Sequence, residues 1–191
     1  MKLILFWITL TAEVASAACV AFSAAFPGRR IWPPPRRICW QAGLMWLLFV
    51  LSGAGMVGLG VVDWGSAGLA WWVRLVAGLP LWLGGSGLGL GSALALGYAP
   101  TLGSQGELIL HGPYRFSRNP QYVGFIVSLF GWAIFSGSSL TLLAALVGAV
   151  ALALAPFAEE PWLLGLHGPA YEAYRRTVPR LLSLRKILRK S

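Results

Sequence analysis

The chain has 191 residues, 57% hydrophobic and only 11% charged, with a formal net charge of +9 and a mean hydropathy of +0.70. A soluble domain carries about a quarter charged residues, so this apolar excess is more than one small core can hold and points to lipid as the solvent. The Lys and Arg residues sit in short clusters between long apolar runs, which excludes the basic face of a nucleic-acid binder and fits a membrane protein.

Five apolar segments follow in chain order. The first spans about Leu3 to Phe26. Its start, with Lys2 and then Ala15-Ser16-Ala17, has the look of a cleavable leader. The apolar run continues past that point, so a retained transmembrane helix is expected. Glu13 falls inside it, and an acid in a membrane helix is a functional candidate unless another helix pairs with it. Pro27-Gly28 ends the segment, and Pro33-Pro34-Pro35 makes a stiff connector. The second segment runs from about Ile38 to Val62, before a polar turn at Asp63-Trp64-Gly65-Ser66. The third, Leu69 to Tyr98, carries Gly84, Gly85, Gly87, Gly89 and Gly91. The spacings Gly85/Gly89 and Gly87/Gly91 predict close helix packing, with cofactor approach as the alternative.

A polar stretch from Ala99 to Asn119 precedes a short fourth segment, Tyr122 to Phe135. Asn119-Pro120 starts that helix, whose free N–H groups suit an anionic or hydrogen-bond-accepting ligand. Ser136 to Ser139 is a tight turn, and the fifth segment runs from Leu140 to about Phe157. So short a link makes the pair an antiparallel hairpin over 120–158. Residues 1–98 then hold three transmembrane helices, and residues 181–191 form a basic amphipathic tail suited to a membrane surface.

Orientation follows from the basic residues. With the proline-rich loop inside, 13 of the 15 Lys and Arg residues fall on that side, leaving only Lys2 and Arg74 outside. The expected protein is an all-α, multi-pass membrane protein, as in a bacterial inner membrane, with a cytoplasmic C-terminus. Cys19 and Cys39 lack metal or redox spacing and read as buried thiols, and His111 and His167 lack ligand-like neighbours, so no metal is expected.

Polar chemistry is confined to two clusters. Glu159-Glu160 sits where the fifth apolar run ends, and two like charges against the negative end of a helix dipole need a cation. Arg175 or Arg176 can supply it, or a cationic ligand can. The other cluster is Gly106-Glu107-Leu108-Ile109, followed by His111-Gly112-Pro113-Tyr114 and Arg118-Asn119-Pro120-Gln121-Tyr122-Val123-Gly124.

These motifs, the hairpin, Glu159-Glu160, the Gly168-x-x-Tyr171-x-x-Tyr174 pattern and Val178-Pro179-Arg180 together resemble the isoprenylcysteine carboxyl methyltransferase family. The Asn-Pro-x-Tyr start, Gly131-Trp132-Ala133-Ile134 and Glu159-Glu160-Pro161 are also similar to phosphatidylethanolamine N-methyltransferases. The resemblance covers residues 100–180 and implies a methyltransferase core over 99–180 that uses S-adenosylmethionine on a lipid-like or isoprenoid acceptor. It implies a cofactor pocket made by Gly106, Glu107, Leu108, Ile109, Tyr114, Asn119, Pro120, Gln121, Tyr122, Glu159 and Glu160, with Glu159 the better cofactor contact of the pair. Two positions depart from the pattern. Asn119 replaces the usual His, and Ala155 stands where the prenylcysteine enzymes place an Arg for the substrate carboxylate. A general base is unassigned among Tyr122, His111 and Glu107. Two other readings compete: an NADPH-dependent reductase of the steroid-reductase type, using Arg115, Arg118 and Arg175 for a phosphate, and a non-catalytic lipid-binding protein.

Overall fold

The computed structural model of the protein describes residues 1–97, 101 and 106–182. Part of the polar loop and nearly all of the basic tail expected from the sequence therefore lie outside the described residues. Secondary structure among the described residues is entirely helical. We number the helices α1 (Lys2–Ala25), α2 (Trp40–Val62), α3 (Trp71–Leu96), α4 (Pro120–Ser136), α5 (Ser139–His167) and α6 (Pro169–Thr177). Helices α1, α2, α3 and α5 are long and apolar enough to cross a membrane. Helix α4, at 17 residues, reaches about 25 Å, short of a full hydrocarbon core. Four full-length spans plus this shorter helix thus stand where five were expected.

Local chemistry sets the helix limits. The Cys39 thiol accepts from Ala42 N–H at the start of α2, and Ser138 Oγ accepts from Thr141 N–H at 3.0 Å to begin α5. Gly137, with φ at 61°, closes α4 in the left-handed conformation that only glycine adopts without strain. Within α3 the turn Arg74–Gly78 widens to a π turn. Pro80, just beyond it, has no N–H to give the preceding turn.

Helix α5 differs most from expectation. It continues ten residues past Phe157 to His167, with Pro156 and Pro161 inside it. Each proline withholds one hydrogen bond, and burial of Pro156 and Ala158 holds the helix together across the break. Glu159 and Glu160 are therefore interior helix residues, and the expected clash with the helix C-terminus does not arise.

Helices α3 and α4 pack at backbone distance. A Cβ placed on Gly124 would lie 2.3 Å from the Gly89 nitrogen, and one on Gly85 would lie 2.5 Å from Ser128 N. Gly85 and Gly89 thus face α4, as the small-residue spacing predicts. Gly87 and Gly91 face outward with nothing near them.

At the end of the bundle near Lys2, one carboxylate ties three segments together. Asp63 pairs with Lys2 Nζ at 3.0 Å and accepts from Ser66 Oγ at 2.6 Å, Ser138 Oγ at 2.9 Å and Leu140 N–H at 3.3 Å. Burial pushes its pKa up, but the bonds from Ser66, Lys2, Ser138 and Leu140 outweigh that and hold it at about 2. A depressed carboxylate gives its full stabilisation above its unfolded value, near 3.8, and loses it as pH falls through about 2. Melting temperature in detergent should therefore drop across that window, and Asp63→Asn should flatten the drop. An unchanged pH profile in the variant would show that Asp63 is not the staple.

Candidate active site

The proline-rich connector is a wall of the site, which its sequence did not reveal. Ser23 Oγ accepts from the N–H groups of Ile31 and Trp32, at 2.9 and 3.0 Å, and Arg30 Nε donates to the Pro33 carbonyl. These bonds fold the segment back over the helix ends and bury Trp32. Its indole Nε1 donates to Glu159 Oε1 at 2.7 Å, and the Tyr122 hydroxyl donates to the same oxygen. Glu159 of α5 therefore meets Tyr122 of α4 directly, as the methyltransferase reading requires, with Oε2 taking neither bond.

Glu160 points elsewhere. Its carboxylate takes a bidentate grip from Arg180, at 2.7 and 2.6 Å, and pairs with Arg118 Nη2 at 3.0 Å. Those bonds push the Arg180 guanidinium above its ordinary pKa despite the cost of burial. The compensating cations are thus Arg118 and Arg180. Arg175 and Arg176, the expected partners, pair with Glu172 on their own helix.

The loop before α4 is stapled to the chain after α6. Arg118 N–H donates to the Pro179 carbonyl, and the Asn119 side-chain amide donates to the Arg180 carbonyl at 2.9 Å. Asn119 therefore does not cap α4 with its side chain. The Tyr174 hydroxyl donates to the Tyr114 carbonyl at 2.6 Å, and the Tyr114 hydroxyl to the Ser92 carbonyl at 3.1 Å. Burial, then the nearby Glu160, pushes Tyr171 up to about 12, and burial likewise raises Tyr114 and Tyr174 well above the ordinary value. All three remain protonated donors near neutral pH.

Between these elements lies a cavity of about 560 Å³, within the range of small-molecule sites. Gly106, Glu107, Leu108, Ile109, Tyr114, Asn119, Gln121, Tyr122 and Glu159 all line it, whereas Pro120 and Glu160 do not. Of the possible bases, Tyr122 and Glu107 reach the cavity and His111 does not. Arg115, stacked on Phe116, and Arg175 also lie off it, so two of the three arginines a reductase phosphate site would use are elsewhere.

Two of the lining residues outside the expected pocket bear most on its chemistry. Trp32 is distant in sequence from every motif. Arg118 read as a topological charge and as a phosphate ligand of the reductase alternative; its Nε and Nη1 are buried at the cavity wall without a close hydrogen-bond partner, with the Tyr171 hydroxyl bearing on the guanidinium. A buried, half-paired guanidinium is costly unless an anion meets it.

Residues 73–170, just over half of the chain, match the family described as phospholipid methyltransferase. Neither a curated protein nor a solved structure matches the chain. The matched stretch contains both halves of the Tyr122–Glu159 contact, along with the Arg118 edge and the α3–α4 glycine crossing. The chain belongs to the phospholipid methyltransferase family.

Proposed function

We propose that the protein transfers the methyl group of S-adenosylmethionine to a lipid-like acceptor that reaches the cavity from the membrane. One observation carries the reading: a carboxylate, Glu159, and an unpaired guanidinium edge, Arg118, open on the same largely apolar cavity. The amino-acid end of S-adenosylmethionine carries an ammonium and a carboxylate and fits that opposed pair. When bound, this donor supplies a methyl that is already electrophilic. The protein's task is then to align the acceptor and exclude water.

The surrounding residues support that task. Trp32 and Tyr122 fix the Glu159 carboxylate, leaving Oε2 for an ammonium. Glu160 holds one edge of Arg118 and turns the other toward the cavity. Gly106 to Ile109 flank the donor, and the protonated Tyr171 offers a further hydrogen bond. Likeness to isoprenylcysteine carboxyl methyltransferases supports an isoprenoid or lipid acceptor. Ala155 lines the cavity where those enzymes hold an Arg, so a neutral or cationic acceptor fits better than a free carboxylate. By the distribution of Lys and Arg, the Glu159 end faces the cytoplasm, as in an inner membrane.

Incubating the purified full chain in lipid nanodiscs with methyl-labelled S-adenosylmethionine and total lipid extract should place label in the lipid fraction. Absence of both label transfer and donor binding would leave the non-catalytic lipid-binding reading in its place.

A further inference from the structure

The cavity does not end in hydrocarbon. Its far wall holds Glu13, Ser16 and Ser52, which lie near the middle of α1 and α2. All three are at least nine-tenths buried, with exposures of 5%, 2% and 9%. The Ser16 and Ser52 hydroxyls have no close hydrogen-bond partner. Among the described residues Glu13 makes no ion pair; the Ser52 hydroxyl is its hydrogen-bonding neighbour, outside close hydrogen-bond geometry.

This acid is packed in place. A Cβ on Gly148 of α5 would lie 2.9 Å from the Glu13 carboxylate, so the acid rests directly against the bare backbone of α5. Glu159 lies 11 residues further along α5, about 16 Å at the helical rise. The wall between them includes Ala151 and Ala155. The cavity is thus polar at both ends and apolar between.

A carboxylate and two hydroxyls buried without close partners are costly in a membrane interior unless something donates to them. Among the described residues only the Ser52 hydroxyl bears on the carboxylate as a donor, which leaves acceptor capacity on Glu13 free, and an anion would be repelled.

We infer that Glu13, Ser16 and Ser52 form a recognition site for a hydrogen-bond-donating group, a hydroxyl or an amine, carried by the acceptor in the end of the cavity remote from Glu159, a span that a dodecyl chain bridges. The assignment of the reacting end rests on the methyl-transfer reading; the deep polar site itself does not. Its residues are positioning residues that select a bifunctional amphiphile over a plain alkyl chain.

The test uses the purified full chain in maltoside detergent and measures ligand affinity by thermal shift. The probes are dodecane α,ω-diol against dodecanol, and dodecane α,ω-diamine against dodecylamine. The wild type should prefer the bifunctional member of at least one pair about tenfold, with the pair identifying hydroxyl or amine. Glu13→Met should reduce that preference to within about twofold, and Glu13→Gln should restore it for the diol. Equal affinity within both pairs in the wild type, or a preference that survives Glu13→Met, would overturn the site. Binding of S-adenosylhomocysteine is measured on the same samples. It should be unchanged in both variants, which also shows that they are folded. Its absence from the wild type would count against the donor site while leaving the deep-site result to stand or fall on the chain-length probes.

Discussion

Replacing Glu159 with Gln is expected to weaken S-adenosylmethionine binding about ten- to a hundredfold with little change in melting temperature. Gln keeps the size of Glu, and its carbonyl oxygen still accepts from Trp32 and Tyr122, which meet at a single oxygen in the parent. What disappears is the negative charge offered to an ammonium. Hydrogen bonds to charged groups contribute about 1.5–3 kcal/mol, and about 1.4 kcal/mol is a factor of ten. Calorimetric titration of the detergent-solubilised variant with the donor and its demethylated product checks this. Affinity equal to that of the parent would remove Glu159 from the donor site.

The neighbouring acid has the opposite profile. Glu160→Ala is expected to destabilise the fold by about 3 kcal/mol, the lower end of the range for breaking a buried ion pair. The side chains of Glu160 and Arg118 are each only 9% exposed, so the substitution strands a guanidinium in the interior. Arg180 is 34% exposed and can turn to water, which moderates the loss. Arg180→Met should cost less, because Arg118 still neutralises Glu160. Denaturation of the three proteins in one detergent gives the order. Parent-like stability in Glu160→Ala would mean that the clamp between α5 and the chain after α6 carries no load.

The helices were legible because lipid demands long apolar runs, and α1 through α4 start and stop within a few residues of the expected limits. The end of α5 was not. Pro156 and Pro161 are stop signals in isolation, the acids between them are good helix formers, and tertiary burial carries the helix through the prolines. The motifs identified which segments meet, since Tyr122 and Glu159 do touch. They favoured Glu159 over Glu160 as the cofactor contact but did not show what Glu160 binds instead. Successive helix positions lie about 100° apart, so Glu159 and Glu160 face different surroundings, one an indole and a phenol, the other two guanidinium groups. Trp32 escaped notice because a bond spanning 127 residues leaves no local pattern.

The folded-back connector has a wider implication. The family match covers residues 73–170, yet Trp32 and the deep polar residues belong to the preceding part. On the proposed reading, the donor site draws mainly on the matched stretch, with Trp32 added from outside it, and acceptor choice draws on the two spans that precede it. On that reading, replacing α1 and α2 should alter lipid preference without loss of the donor site only if the Trp32 indole is kept.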